Sequence, residues 1–336
     1  MRSALRIGVL GAAPLAAVAL VRPSRRMADV EIAAVAARDP ARARRFAGRY
    51  GIAHVHASYT ALIADPAIDA IYLPLPNSLH AAWTIKALQA GKHVLCEKPL
   101  AANALEATEV ARVAHATGRV VMEAFHYRYH PLAHRLKTII DSGEIGHVMH
   151  LDAEFGVPLL RPNSIQYRYE LGGGATMDVG CYAINLIRYL ADSEPEVIQA
   201  QPRLIRPNVD RYMAANFRFA DGRTAHMVCA LLSTRLLRLS ATVHGTVGKL
   251  HVTFPFLPHL YNHIIVRGLH GDRHEHVEGL PSYAYQLRAF ADAVRIGTPV
   301  PTSATDAVKN MQVIDAVYRA AGLHSRGFLA AGSNQS

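Results

Sequence analysis

The chain has 336 residues, 51% hydrophobic and only 18% charged, which is apolar enough for two ordinary domains and excludes a charge-rich disordered polymer. Its formal net charge of +10 arises from scattered lysines and arginines, a pattern that fits a solvated surface attracting an anionic cofactor better than a nucleic-acid footprint. Cys96, Cys181 and Cys229 make neither a CxxC nor a zinc spacing, so a disulfide framework is excluded and a reducing, cytoplasmic setting is expected.

In chain order, the first third alternates short apolar runs with helical patterns. Strands are predicted over Leu5–Leu10, Val30–Ala37, Ala70–Leu73, His93–Cys96 and Val120–Glu123. Helices are predicted over Leu15–Arg22, Pro40–Tyr50, Thr60–Ala64, Leu79–Ala90 and Ala104–Thr117, with Gly51, Gly91 and Gly118 as stops. This rhythm predicts a doubly wound parallel sheet, a Rossmann domain over residues 1–124. The densest basic cluster, Arg42, Arg44, Arg45 and Arg49, falls on one of its helices and reads as a solvated face. Leu5–Leu10 is too short for a secretory signal, and no run reaches the ~20 apolar residues of a membrane span.

From Phe125 the pattern changes to alternating segments: Val148–Phe155, Val197–Arg203, Met213–Phe219, Arg223–Leu232, Leu239–His244, Lys249–Phe254 and His263–Arg267. Helices at Pro131–Asp141, Ala175–Leu190, Tyr283–Arg295 and Thr305–Ala321 flank them. The expectation is an α+β domain over residues 125–325 with a large, mostly antiparallel open sheet. A flexible tail is expected over 326–336. Met213–Phe219 and Arg223–Leu232 carry apolar residues on more than one register, as strands covered on both faces do. A homodimer or homotetramer formed through this sheet is therefore expected.

Gly8-Val9-Leu10-Gly11-Ala12-Ala13 follows the first strand and opens a helix. A tight glycine turn there aims backbone N–H groups at a pyrophosphate. Ala13 stands where a second glycine is usual, and its methyl is tolerable if the local φ is not strongly positive. By itself the motif is weak; its place in a βαβ series strengthens it. The second strand ends Arg38-Asp39. An arginine at that tip can receive the 2′-phosphate of NADP, an acid would bind the ribose of NAD, and Asp39 is placed to cap the next helix. NADP is the expected cofactor, NAD the alternative.

Three further strings are more specific: Leu75-Pro76-Asn77-Ser78-Leu79-His80, then Gly91 to Glu97-Lys98-Pro99, then Gly172-Gly173-Gly174-Ala175-Thr176-Met177-Asp178-Val179-Gly180-Cys181-Tyr182. Together they resemble the glucose–fructose oxidoreductase and inositol dehydrogenase (Gfo/Idh/MocA) family, nearest its dihydrodiol and xylose dehydrogenase branch, from about Leu5 to about Leu323. The resemblance implies that Lys98 lies beside the nicotinamide and the substrate hydroxyl, and that Glu97 contacts the nicotinamide ribose. It places Pro76, Asn77 and His80 on the loop passing the cofactor. It makes Asp178 and Tyr182 the acid and the catalytic tyrosine; the inositol branch carries histidine at the latter position. Tyr127, Arg128 and Tyr283 resemble residues of the substrate pocket.

The chemistry of these residue types agrees. Hydride transfer from a carbinol needs a base for the hydroxyl proton, and its reverse needs an acid. A free tyrosine, with a pKa of about 10, is a poor base at neutral pH; a neighbouring lysine ammonium would lower that value. Asp178, one helical turn before Tyr182, can orient either group. The run Gly172–Gly174 lacks side chains, so its backbone can approach a ligand. His126, His130 and His134 recur at four-residue spacing, but Pro131 interrupts the helix that would align them, and no HExxH is present, so no metal site is expected. The reading is an NAD(P)-dependent oxidoreductase acting on a secondary alcohol or hemiacetal of a sugar, or on a cyclic diol. A nucleotide-linked deoxysugar ketoreductase and a non-catalytic NADP-sensing regulator are the alternatives; Lys98, Asp178 and Tyr182 together disfavour the regulator.

Overall fold

A computed structural model describes residues 4–161, 163–232, 237–268 and 271–327. The first sheet contains β1 (Leu5–Leu10), β2 (Val30–Ala36), β3 (His54–Val55), β4 (Ala70–Leu73), β5 (His93–Cys96) and β6 (Val121–Glu123) in the order β3-β2-β1-β4-β5-β6. All its pairings are parallel. Its central strands are buried on both faces, which is why they read as continuous apolar runs. β1 lies between β2 and β4, so the winding direction reverses there, and the carboxyl end of β1 marks the switch point at which such sheets bind their ligands.

The covering helices are α1 (Pro14–Ala16) and α2 (Arg22–Ser24), joined by a π-helical segment over Ala17–Val21, then α3 (Pro40–Tyr50), α4 (Tyr59–Ala64), α5 (His80–Gln89) and α6 (Ala104–Thr117). Asp39, Ser58 and Asn103 accept backbone N–H bonds at the starts of α3, α4 and α6. The crossover carries a short 3₁₀ turn at His126–Tyr129, and then Pro131 opens α7 (Pro131–Asp141) at its first position, as the proline argument required.

The second sheet has eight strands: β7 (Val148–Gly156), β8 (Glu196–Arg206), β9 (Val209–Arg218), β10 (Thr224–Ala230), β11 (Arg238–Gly245), β12 (Lys249–Thr253), β13 (His263–Gly268) and β14 (Gly271–Glu275). They run β14-β13-β12-β11-β7-β10-β9-β8, antiparallel except where β10 meets β7. The inner face buries Leu151, Ala153 and Phe155 of β7 and Ala225, Met227 and Cys229 of β10. α8 (Cys181–Ala191) packs on this face behind a π-helical segment over Thr176–Gly180. All three cysteines are free and buried.

On the outer face the outward positions of β9 and β10 mix residue types: Tyr212, Ala214 and Val228 towards one end, and Asn216, Arg218, Thr224 and His226 towards the other, beside Asp152 and Thr242 of the adjoining strands. His150, His226 and His244 surround the Asp152 carboxylate at 3.3–3.7 Å. The outer face is thus polar and half-exposed along this row.

The expected boundaries also need two corrections. α9 (Ser282–Ile296) and α10 (Ala304–Ala320) return to the first domain. Leu287 and Phe290 join the core under β1 and β2, Arg288 pairs with Asp29 at 2.8 Å, and α10 packs on α6 as well as α8. And Arg326, expected in the tail, is wholly buried: it donates to the Gly173 carbonyl at 2.7 Å and to Asp210 at 3.1 Å. Residues 328–336 lie outside the described residues. Among those described, no helix is long and apolar enough to cross a membrane.

Candidate active site

The turn after β1 is built for close approach. Gly11 has φ +110°, and a Cβ there would stand 3.0 Å from the Leu75 side chain. Ala13 has φ −77° and ψ 144°, an extended conformation that accommodates its methyl. Ala12 between them is buried. Among the described residues no side chain caps the first turn that Pro14 opens; Pro14 has no N–H, and the Gly11 and Ala16 N–H groups bond the Ala36 and Ala13 carbonyls at 2.7 and 3.0 Å, so a ligand here would meet the N–H groups of Ala12, Ala13 and Leu15. This fits a pyrophosphate. Gly8 has a different reason: a Cβ there would run into Leu62, so it serves packing within the sheet layer.

Arg38 is exposed at the tip of β2 and Asp39 caps α3. Arg42, on the first turn of α3, donates its Nε–H to the Ala12 carbonyl at 3.0 Å. It therefore sits at the glycine turn, a position hidden in the sequence by its membership of a basic helical face. Arg38 and Arg42 place two guanidinium groups around the tip of β2 and the glycine turn.

Lys98 follows β5, and its peptide with Pro99 is cis. His80 fastens this loop. Its ring is fully buried, with Nδ1 2.7 Å from the Pro99 carbonyl oxygen and Nε2 2.8 Å from that of Leu75, and burial holds its pKa below the usual histidine value. The ring thus has no exposed edge and ties the Leu75 segment to the Lys98–Pro99 segment. Glu97 is also turned inward and accepts the Tyr72 hydroxyl at 2.6 Å, while burial raises its carboxyl pKa. Pro76 precedes the short turn in which Asn77 donates to the Gly172 carbonyl at 2.9 Å, tying the two domains together.

The glycine run serves the protein rather than a ligand. A Cβ on Gly172 would lie 2.9 Å from the Asn77 side chain, one on Gly173 2.6 Å from the Gln166 carbonyl, and one on Gly174 2.8 Å from Arg326. Close packing of the crossover loop against the buried Arg326–Asp210 pair requires glycine there.

Lys98, Asp178 and Tyr182 converge. Lys98 Nζ donates to the Asp178 carbonyl at 2.6 Å and to its carboxylate at 3.3 Å, and it lies 5.1 Å from the centroid of the Tyr182 ring. Burial alone would lower the Lys98 pKa, but Asp178, Cys181 and Glu97 outweigh it and raise the ammonium above its usual value. Tyr182 reverses the expectation drawn from sequence. It is 7% exposed, enclosed by Phe125, Phe155, Tyr127 and Phe256, and burial pushes its phenol well above the ordinary tyrosine pKa. Lys98 does not offset this, because its ammonium is committed to Asp178 and meets the ring of Tyr182.

Of the expected pocket residues, Tyr283 stands at the site, its ring 4.1 Å from that of His126. The Tyr127 ring packs against Tyr182 while its hydroxyl, like the Arg128 side chain, meets α8. The Tyr127 hydroxyl donates to Asn185 at 2.6 Å, and the Arg128 guanidinium lies 3.9 Å from the Tyr189 ring centre. Behind Lys98, Glu123 is a residue the sequence reading passed over. It accepts the Leu100 N–H at 2.8 Å, and burial, then Asp306, pushes its pKa up to about 8. Among the described residues no group of His, Cys, Asp and Glu could hold a metal ion.

A parallel sheet with its switch point at β1, and a lysine, an aspartate and a tyrosine converging beside the loop after β5, defines an NAD(P)-dependent oxidoreductase. Family models agree: one described as an oxidoreductase family with an NAD-binding Rossmann fold matches residues 5–125, and the GFO/IDH/MocA C-terminal domain matches residues 133–251. The chain belongs to the Gfo/Idh/MocA family. It is 33% identical to a D-xylose 1-dehydrogenase (NADP(+)) of Haloferax volcanii, over 94% of this chain and 97% of that one. It is 34% identical to a dTDP-3,4-didehydro-2,6-dideoxy-α-D-glucose 3-reductase of Saccharopolyspora spinosa, over 96% and 98%. Among solved structures it resembles a 3-ketoreductase of Actinomadura kijaniata in complex with NADP and TDP-benzene, at TM-score 0.88 and 29% identity over 95% of this chain and 98% of the other.

Proposed function

We propose that this enzyme transfers hydride between NADP and a secondary alcohol or hemiacetal carbon of a sugar or cyclic diol, with Lys98 and Tyr182 handling the proton. The observation that carries the reading is the convergence of Lys98, Asp178 and Tyr182 at the carboxyl end of the parallel sheet, the end at which the Gly11 turn also lies. When bound, the nicotinamide accepts or supplies the hydride. The backbone N–H groups of Ala12, Ala13 and Leu15 hold the pyrophosphate, and Arg38 with Arg42 selects the 2′-phosphate. Lys98, kept as an ammonium by Asp178, donates to the reacting oxygen and stabilises its developing negative charge. Tyr182, kept as a phenol by burial, gives its proton to that oxygen in reduction. In oxidation it accepts the proton once ionised, which an approach of the Lys98 ammonium to its oxygen favours.

Solved variants of the Actinomadura ketoreductase replace a tyrosine and a lysine that have the same spacing along that chain as Lys98 and Tyr182 have here, which supports these roles. The same similarity favours a second reading, a reductase of nucleotide-linked keto-deoxysugars. One screen separates the two: D-xylose, other aldoses and a trans-dihydrodiol with NADP⁺, against dTDP-linked keto-sugars with NADPH, following the absorbance of the reduced nicotinamide. Turnover confined to the second set would replace the first reading. The open outer face of the eight-stranded sheet is where a second copy would pack, and a strictly monomeric mass in light scattering would remove that part of the proposal.

A further inference from the structure

Each oxidation releases a proton in a pocket where Tyr182 is 7% exposed and Lys98 is already an ammonium, so the proton needs a path to water. Three chain segments meet beside Tyr182 in an arrangement that supplies one. His126 of the crossover turn, His259 of the loop after β12 and Ser282 at the start of α9 come together, with the Nδ1 atoms of both histidines 2.8 Å from the Ser282 Oγ. His126 and Ser282 are buried and His259 is half-exposed. The His126 ring lies edge-on to Tyr182, centroids 6.0 Å apart. Tyr283 packs on both imidazoles, at 4.1 Å from His126 and 5.7 Å from His259, and fixes their planes.

We propose that His126, Ser282 and His259 form a proton relay from the substrate pocket to solvent. This rests on the dehydrogenase reading above. A serine hydroxyl has one hydrogen and two lone pairs, so when it lies between two Nδ1 atoms in a conducting chain it accepts from one ring and donates to the other. His126 then carries its proton on Nδ1 and His259 on Nε2. A proton arriving at His126 Nε2 forms a bond there as the Nδ1–H bond breaks. That Nδ1 proton passes to Ser282 Oγ, the former hydroxyl proton passes to His259 Nδ1, and the Nε2 proton of His259 leaves to water. One proton crosses, no charge stays on a ring, and the two tautomers exchange. The exchanged state is the starting state for carrying a proton inward during reduction. Neutral passage suits the site, because burial opposes the charged form of both histidines.

The test has two arms on the full chain. In the first, imidazole nitrogens of ¹⁵N-histidine-labelled protein are observed by NMR near pH 7, with and without NADP⁺. Opposite neutral tautomers at His126 and His259 are expected. The same tautomer on both, or an imidazolium at either, overturns the relay whatever the enzyme turns over. In the second, Ser282→Ala and Ser282→Thr are compared with the wild type on the best substrate of the screen above. S282A should lose roughly tenfold or more in kcat at low buffer, with a changed solvent deuterium isotope effect, and should recover in imidazole buffer, while S282T retains activity. A loss that imidazole does not restore marks Ser282 as a structural tie and overturns the relay. If no compound in the screen is turned over, the dehydrogenase reading fails, and the tautomers still decide the relay.

Discussion

Lys98 donates to the backbone carbonyl of Asp178 at 2.6 Å while its ammonium lies 5.1 Å from the ring centre of Tyr182. The lysine is thus held by the aspartate and shared with the aromatic face, a division of labour that orders the effects of substitution. Lys98→Met should lower turnover on the order of 10²-fold or more while NADP⁺ affinity, read by calorimetry, changes little. Asp178→Asn removes the leading influence that raises the Lys98 pKa and leaves burial, which lowers it. The pH profile of that variant should lose activity at a lower alkaline pH than the wild type.

Tyr182→Phe should keep the fold, since only a hydroxyl is lost, and should lower the rate by ~10²–10⁴. Burial keeps the phenol protonated, so the wild-type reduction rate should stay flat across neutral pH. The oxidation rate should climb with pH without levelling below the free tyrosine value of about 10. A Phe variant with the same profile would place the proton transfer elsewhere.

Arg38→Ala should weaken NADP⁺ binding by ~1.5–3 kcal/mol and leave NAD⁺ binding nearly unchanged. Arg42→Ala should weaken both, because it also releases the Ala12 carbonyl at the pyrophosphate turn. Titration of each variant with the two cofactors checks this; equal losses for Arg38→Ala would take that residue away from the 2′-phosphate.

Glu123 predicts a stability profile. Burial pushes its pKa up to about 8 from the ordinary value of 4.5, so the native state holds its proton more tightly than the unfolded chain. The stabilisation is complete below pH 4.5 and is lost as pH rises through about 8. At ~1.4 kcal/mol per unit this is at most roughly 5 kcal/mol. Thermal unfolding should show the wild type losing stability across that window, and Glu123→Gln, a neutral isostere that can still accept the Leu100 N–H, should flatten the slope.

Several elements were legible to the residue because the chemistry is local: β1, β4, β5, α3, α6 and α7 have the predicted ends, set by apolar runs and by Asn, Asp, Pro and Gly punctuation. β3 and β14 escaped, since a two-residue exposed strand and the polar edge sequence Gly-Asp-Arg-His-Glu carry no hydrophobic alternation. Motifs singled out Lys98, Asp178 and Tyr182, which the fold brings together, but they did not give the sign of the Tyr182 shift. The rings that enclose it come from positions 125, 127, 155 and 256, and burial by distant segments leaves no trace in a local string. Arg42 and Glu123 were hidden for the same reason.

Arg326 gives the fold a dependence on codons that lie beyond every motif of the site. Its guanidinium neutralises Asp210, the carboxylate that also receives the Thr176 backbone N–H and hydroxyl at 2.7 Å just ahead of Asp178. A ribosome stopping one codon short of this arginine would leave Asp210 buried and uncompensated, at a cost of ~3–5 kcal/mol. Every motif of the site would have been translated, yet a protease surveying unfolded chains would meet a much larger open population.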